Sequence, residues 1–294
     1  MVQEIQAKTL LSRVKKPEDW FGVTYNMNIY RGCQHGCIYC DSRSLCYGIE
    51  DFSRVQVKIN APDLLRKELS GKRRKAVVGT GAMSDPYIPA EKDYRFTRQA
   101  LEILARMGFP VHINTKSDLI LRDLDMLKEI NKTFVSVAFT ITTCDDALAA
   151  RLEPGAPPPS ARLEAMGILT EAGIYTGVLM MPVLPFIEDN RNNISDIVNK
   201  AVKSGASFII PWLGMSLRDR QREYYYAKLD VLFPGLKQKY EQYYGEKYNC
   251  MSREAGDLYR HFQVLCRDNG IVSDMKNVKK YEPLKESVQL SLFD

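Results

Sequence analysis

The chain has 294 residues, 45% of them hydrophobic and 26% charged, with a formal net charge of +5. That balance is ordinary for a soluble globular protein, and the charge permits a nucleic-acid partner without demanding one. No apolar run reaches the roughly 18 residues of a membrane-spanning helix, and Met1–Lys8 lacks the apolar core of a signal peptide, so no membrane partner is expected.

In chain order, residues 1–23 read as an irregular lead-in, and Tyr25–Arg31 alternates as a first strand that delivers the chain into a cysteine loop. Pro62–Leu69 reads as a short helix with proline near its start. Ala76–Gly81 reads as a buried strand ending in glycine. Apolar residues at helical spacing mark Arg95–Met107, stopped by Gly108. Val111–Lys116 is the next strand and Asp118–Ile130 the next helix, with Ser117 or Asp118 able to cap it. The strand Phe134–Thr142 and the helix Ser160–Ala172, closed by Gly173, come next. The strand Thr176–Val183, the helix Asn193–Lys203 and the strand Phe208–Leu213 follow. Short apolar strands alternating with helices imply parallel pairing through right-handed crossovers. Six such units fit residues 24–215. The expected class is α/β, a partial (β/α)6 barrel with functional groups at the C-terminal ends of its strands.

The loop reads Cys33-Gln34-His35-Gly36-Cys37-Ile38-Tyr39-Cys40. Three thiolates on so short a loop can hold three corners of a [4Fe-4S] cubane and leave the fourth iron open, whereas four-iron ferredoxin sites use a fourth cysteine. An open iron suits S-adenosylmethionine, whose amino and carboxylate groups can chelate it. Electron transfer to the sulfonium would then release a carbon radical. Gly32 and Gly36 fit a loop that wraps tightly. The competing reading is structural zinc, which wants four ligands, commonly as separated pairs. His35 and Cys46 are the nearby fourth candidates, and no second pair follows. Seven cysteines, with three committed to a cluster, read as a reducing, cytoplasmic compartment.

The spacing, with Tyr39 just before the last cysteine, resembles the signature of the radical S-adenosylmethionine superfamily. Further stretches are similar to one branch of it, the spore photoproduct lyase family, often described as DNA-repair photolyase-like. They are the cysteine loop, Gly79–Asp85, Asn114–Lys116, Phe139–Thr142, Glu153–Gly155, and Ala172-Gly173 leading to Met181-Pro182. The resemblance covers about residues 25–215. It implies that Cys33, Cys37 and Cys40 hold a [4Fe-4S] cluster. It places Tyr39, Thr80, Gly81, Ser84, Asp85, Lys116, Thr140, Thr142 and Met181 around S-adenosylmethionine. Lys116 would partner the methionyl carboxylate, and Ser84 and Thr140 would bond ribose or carboxylate oxygens. The plain alternative for Lys116 is a strand-end surface lysine. The resemblance also implies an electron donor such as flavodoxin or ferredoxin.

Two departures stand out. The lyases carry a hydrogen-donor cysteine two residues before the serine that matches Ser84, and here that residue is Ala82. They also place tyrosine on both sides of the third cluster cysteine, whereas here Asp41 follows Cys40. Cys144 is a candidate substitute donor, with a small buried hydrophobe as the alternative. Tyr39 is the other candidate catalytic residue. Cys46 is a further donor or a packing residue, Cys250 and Cys266 read as core, and His112 and His261 read as structural.

Residues 216–286 are rich in Lys, Arg and tyrosine, including Tyr224, Tyr225, Tyr226, Tyr240, Tyr243, Tyr244, Tyr248 and Tyr259. Such a stretch can stack on unpaired bases. Equally, it can be a helical cap on the barrel with its tyrosine hydroxyls outward. The run Lys72–Lys75 reads as a solvated loop. Gln289-Leu290-Ser291-Leu292-Phe293 resembles the bacterial sliding-clamp binding motif. Leu292 and Phe293 would fill an apolar pocket and Gln289 would make polar contacts. The alternative is a tail folded onto its own domain. The expected organisation is a barrel over 1–215, an extension over 216–286 and a tail over 287–294. The expected activity is radical chemistry on DNA, in repair, with recruitment by a sliding clamp. The rivals are the same chemistry on RNA, a peptide or a small molecule, and a non-catalytic iron–sulfur repair accessory.

Overall fold

The computed structural model describes residues 2–49, 51–52 and 54–283. Its strands are β1 (Val2–Ile5), β2 (Leu11–Arg13), β3 (Val23–Met27), β4 (Tyr30–Arg31), β5 (Val55–Lys58), β6 (Val77–Thr80), β7 (Val111–Thr115), β8 (Val135–Thr140), β9 (Tyr175–Met180), β10 (Phe208–Pro211), β11 (Gly214–Ser216) and β12 (Asn249–Met251). Its helices are α1 (Ala61–Ser70), α2 (Glu91–Tyr94), α3 (Phe96–Met107), α4 (Leu124–Asn131), α5 (Asp146–Leu152), α6 (Pro159–Glu171), α7 (Arg191–Lys203), α8 (Asp219–Leu232), α9 (Leu236–Tyr244) and α10 (Ala255–Asp268).

The main sheet runs β10-β9-β8-β7-β6-β3-β2, parallel throughout except for β2, which adds antiparallel at the β3 edge. The six parallel strands and the helices between them make the expected partial barrel. All six residues of β8 are buried, as a strand covered on both faces requires. Its neighbours supply Val111, Ile113, Val178 and Met180 to the same core. Outside, α3 buries Ala100, Leu101, Ile103 and Leu104 and stops at Gly108 in the left-handed region, the usual device for ending a helix. Parallel alignment brings the C-terminal ends of β6 to β10 to one rim, where the loops that carry polar groups begin.

Four sequence expectations differ from the structure. The lead-in contains β1, which pairs in parallel with β5, and β2. The expected strand Tyr25–Arg31 is two strands in different sheets, because Tyr30 and Arg31 leave the barrel edge to pair with Val57 and Gln56 of β5. The expected helix from Asp118 begins as a tight turn, Asp118–Asp123, with the Ser117 hydroxyl accepting the Leu119 N–H, before α4 proper. In the extension, the hydroxyls of Tyr225, Tyr240 and Tyr244 turn inward rather than outward, while Tyr243, Tyr248 and Tyr259 stay exposed. Tyr225 donates to Tyr240 at 3.0 Å, and Tyr240 donates to the Pro185 carbonyl at 2.8 Å. A buried phenol must find such partners or lose the water it gave up.

The extension packs in two places. Helices α8 and α9 and the β11–β12 ribbon close over the cysteine loop, sharing a core with Ile38 and Tyr39. Helix α10 returns to the barrel, and its Leu258, Phe262 and Cys266 join the core that includes Ile194 and Ile197 of α7. Cys250 is likewise fully buried. The tail Gln289–Phe293 lies outside the described residues.

Candidate active site

An open cavity of about 790 Å³, mouth included, sits at the C-terminal rim of the barrel. Cys33, Cys37 and Cys40 all line it. The loop that presents them is moulded from both sides. Gly36 has a φ of +68°, which costs glycine nothing. The Ile38 N–H donates to the Leu152 carbonyl and the Gly155 N–H donates to the His35 carbonyl, both at 2.9 Å. A Cβ at Gly155 would stand 2.2 Å from the Gln34 carbonyl oxygen, so only glycine lets this segment support the loop so closely. The segment Leu152–Gly155 is therefore the floor of the cysteine loop.

The rim contributes Gly81, Ala82, Met83 and Asp85 after β6, Thr115 and Lys116 at the end of β7, and Thr140 at the end of β8. Pro182 after β9, Trp212 after β10, and Met215 and Ser216 of β11 complete it. Of the expected cofactor contacts, Tyr39, Gly81, Asp85, Lys116 and Thr140 line the cavity, whereas Thr80, Ser84, Thr142 and Met181 stand behind its surface. The Thr142 hydroxyl is occupied, donating to Glu188 at 2.7 Å. Asp85 works mainly inside the protein. Its Oδ1 accepts the Thr115 hydroxyl at 2.8 Å and its Oδ2 accepts the Lys116 N–H at 2.7 Å, which locks the β6 loop to the end of β7.

Cys144 does not line the cavity. It packs against the barrel core with Lys200, Asp196 and Asp146 as its charged neighbours. The thiol lies between β8 and α5, and it is not among the groups that the cavity presents to a cofactor. Cys46 is exposed on a turn between Leu45 and Tyr47. His112 is buried, with Ser136 and Asn114 at 2.7 Å on its two ring nitrogens, and His261 meets Ser195 at 2.8 Å. Both are structural, as expected.

Three polar residues of the site make contacts that the sequence reading did not anticipate. Glu153 accepts hydrogen bonds from the Tyr39 hydroxyl and, at 2.5 Å, from Arg162, and pairs with Lys116 Nζ at 3.9 Å. Burial alone would raise its pKa, but Arg162 and Lys116 outweigh burial and hold the carboxyl below its ordinary range. Asp41 accepts from Ser216, Tyr47 and Arg218, at 2.9, 2.8 and 2.5 Å, and so ties the cavity rim to the extension. His35 is 1% exposed and has no hydrogen-bond partner on either ring nitrogen. Its Nδ1 lies 3.5 Å from Asp85, too far for a good bond. Burial keeps this imidazole neutral by lowering its pKa.

Cys33 and Cys37 are costly to ionise as they stand. Burial, then Asp85 and Cys40, push Cys33 up to about 12. Burial pushes Cys37 well above its usual value, opposed by Lys116. A cationic iron centre would reverse that balance, because a coordinating thiol is deprotonated outright. The buried Ser84 hydroxyl also has no partner. Three neighbouring thiols on one cavity, with the unpartnered His35 imidazole lining it beside them, are the setting a cluster with a polar ligand requires. Among the described residues no three His, Cys, Asp or Glu side chains converge as closely as a single metal ion demands.

Comparison with known proteins agrees with this chemistry. The model of the radical SAM superfamily matches residues 27–197. An uncharacterised protein of Mycobacterium bovis is 31% identical over 249 residues, spanning 82% of this chain and 73% of the relative. A radical SAM Nα-GlyT isomerase of Pseudomonas phage M6 is 26% identical over 178 residues, 60% of this chain and 36% of that protein. A spore photoproduct lyase complexed with dinucleoside spore photoproduct superposes with a TM-score of 0.68 at 15% identity. The match covers 91% of this chain and 79% of that one, and at that identity it shows a shared fold.

Proposed function

The chain belongs to the radical S-adenosylmethionine superfamily, whose members use a [4Fe-4S] cluster and S-adenosylmethionine, and we propose that this enzyme acts on a nucleobase of DNA, in repair. When bound, cluster and cofactor supply a carbon radical that can take a hydrogen atom from a C–H bond. Cys33, Cys37 and Cys40 would hold the cluster, and Lys116 would face the carboxylate of the cofactor. The observation that carries the DNA reading is the wall of the same cavity built by Pro182, Trp212 and Met215. Apolar side chains that include an indole suit a planar base that has left its stack, which aromatic side chains receive by stacking. The fold shared with a protein complexed with a dinucleoside supports the reading, as does the net charge of +5. In this scheme Gln289–Phe293 recruits the enzyme to a sliding clamp, and a flavodoxin- or ferredoxin-type protein delivers the electron.

The test is to load the full-length chain with iron anaerobically, reduce it with dithionite, and supply S-adenosylmethionine with undamaged DNA, ultraviolet-irradiated DNA, RNA or dinucleoside spore photoproduct. One of the DNAs should raise 5′-deoxyadenosine formation several-fold, with binding that weakens as salt rises. Ala82 stands where the lyases keep their donor thiol, so conversion of spore photoproduct to thymines should be far slower than by a lyase. Stimulation by RNA alone, or by no nucleic acid, would sink the DNA reading.

A further inference from the structure

We infer that Glu153 is a positioning residue of this active site: its buried carboxylate holds the Lys116 ammonium in place for the carboxylate of S-adenosylmethionine and ties that lysine to the cysteine loop. The inference rests on the reading of Lys116 as the cofactor's partner.

Lysine is a compact charge on a long, flexible stem, and ordering such a stem costs conformational entropy. A lysine that must present its ammonium at one place therefore needs an anchor. Glu153 is placed to be that anchor, because three parts of the site meet on it. Tyr39, between two cluster cysteines, donates its hydroxyl to Glu153. Lys116, from the end of β7, stands 3.9 Å away. Arg162, from α6 and 1% exposed, donates to Glu153 at 2.5 Å. Through Arg162 the network reaches the end of β8, whose Thr140 carbonyl accepts a second guanidinium N–H at 3.0 Å.

The distances separate two roles within the network. Arg162 is bonded closely to Glu153 and to two backbone carbonyls, those of Thr140 and Pro157, so each of its three nitrogens is held by the protein. Lys116 at 3.9 Å is an ion-pair partner rather than a close hydrogen bond. An ammonium has three donors, and this one lines the cavity. It can turn donors toward a second carboxylate while Glu153 limits its range. The charges agree. Two cations and one carboxylate leave a net single positive charge, which complements an incoming carboxylate. Without Glu153, the buried Arg162 guanidinium and the half-buried Lys116 ammonium would be left without the carboxylate they share.

A purely structural role, in which Glu153 does no more than neutralise Arg162, makes different predictions. The test compares Glu153→Gln, Glu153→Asp, Lys116→Met and the double variant Glu153→Gln/Lys116→Met with the unaltered full-length chain, all loaded with iron anaerobically. The readouts are iron content, affinity for S-adenosylmethionine by equilibrium dialysis, and the electron paramagnetic resonance spectrum of the reduced cluster with and without it. Glu153→Gln is expected to keep its iron, to lose about tenfold in affinity and to alter the spectrum of the cofactor-bound form. The double variant should be no weaker than Lys116→Met, since the two act as a unit. If Glu153→Gln fails to fold, Glu153→Asp decides. It keeps the charge but draws the carboxylate back by one methylene, and it should lose affinity while keeping iron. Unchanged affinity in the folded Glu153 variant, beside a weakened Lys116→Met, overturns the inference and leaves the Lys116 reading standing. Additive losses in the double variant overturn it as well. Unchanged affinity in Lys116→Met removes the reading on which it rests.

Discussion

Glu188 is a carboxyl placed where water does not reach it. It is fully buried and accepts the Thr142 hydroxyl at 2.7 Å and the Leu184 N–H at 2.9 Å. Burial, only partly offset by those bonds, pushes its pKa from 4.5 up to about 8. Between those two values the folded chain holds a proton that the unfolded chain has released. This part of the stability is therefore complete below about pH 4.5 and declines as pH rises toward 8. Glu188→Gln can keep both contacts, with its oxygen accepting the N–H and its amide donating to the hydroxyl, and it cannot ionise. Urea unfolding of the variant should show a flatter dependence from acid to pH 8 and, at the upper end, a gain on the order of 4 kcal/mol over the parent. An equally steep decline in both chains would show that Glu188 is not the group responsible. The residues of the site differed in how far the sequence revealed them. Cys33, Cys37 and Cys40 were legible because a cluster dictates their type and spacing within one loop. Glu153 and Asp41 were not, because their meaning lies in partners far along the chain, Lys116 and Arg162 for one and Arg218 for the other.

At the scale of elements, the segment between α5 and α6 does more than connect two helices. It supports the cysteine loop through backbone bonds on either side of Glu153, and at Gly155 it leaves no room for a methyl group. The atom a Cβ would strike is a backbone oxygen, so no side chain can swing aside to relieve it. Gly155→Ala should therefore displace the loop, lowering stability by about 2–4 kcal/mol and lowering the iron content of anaerobic preparations. Native iron content together with parent-like urea unfolding would show that the floor yields more easily than argued. The barrel elements themselves were readable in the sequence. The buried run of β8 and the helix stop at Gly108 depend on local composition, and local composition is what a sequence displays. Pairing is not local. Nothing in Tyr25–Arg31 announces that its two halves choose β6 and β5 as different partners. Likewise, Gly214–Ser216 meets Asn249–Met251 only after α8 and α9 have folded back.

At the scale of the whole molecule, the two ends of the barrel face opposite ways. The cavity lies at the C-terminal ends of the strands. The last described residues cross the other end, where Val278 joins Phe21, Val23 and Phe208 in a core. There the Lys279 N–H reaches the Tyr175 hydroxyl at 3.2 Å, and Tyr281 packs near Phe134. The chain therefore leaves the barrel on the face away from the mouth. Gln289 lies six positions beyond Pro283, a stretch that spans at most about 21 Å when fully extended. A clamp held by Gln289–Phe293 would then engage the closed end while the mouth stays open to DNA. Burying Leu292 and Phe293 is worth roughly 1.5–3 kcal/mol each, less what it costs to order a tail. A contact on the order of micromolar, about −8 kcal/mol, is expected. Such a contact recruits and releases. Replacing Leu292 and Phe293 by Ala, or ending the chain after Glu286, should abolish binding to a bacterial sliding clamp in a titration. Iron content and cofactor cleavage without DNA should stay unchanged, because both depend on the opposite end of the barrel. Equal clamp binding by the full and shortened chains, or none by either, would refute the assignment. Loss of iron on shortening would show instead that the tail packs on its own domain.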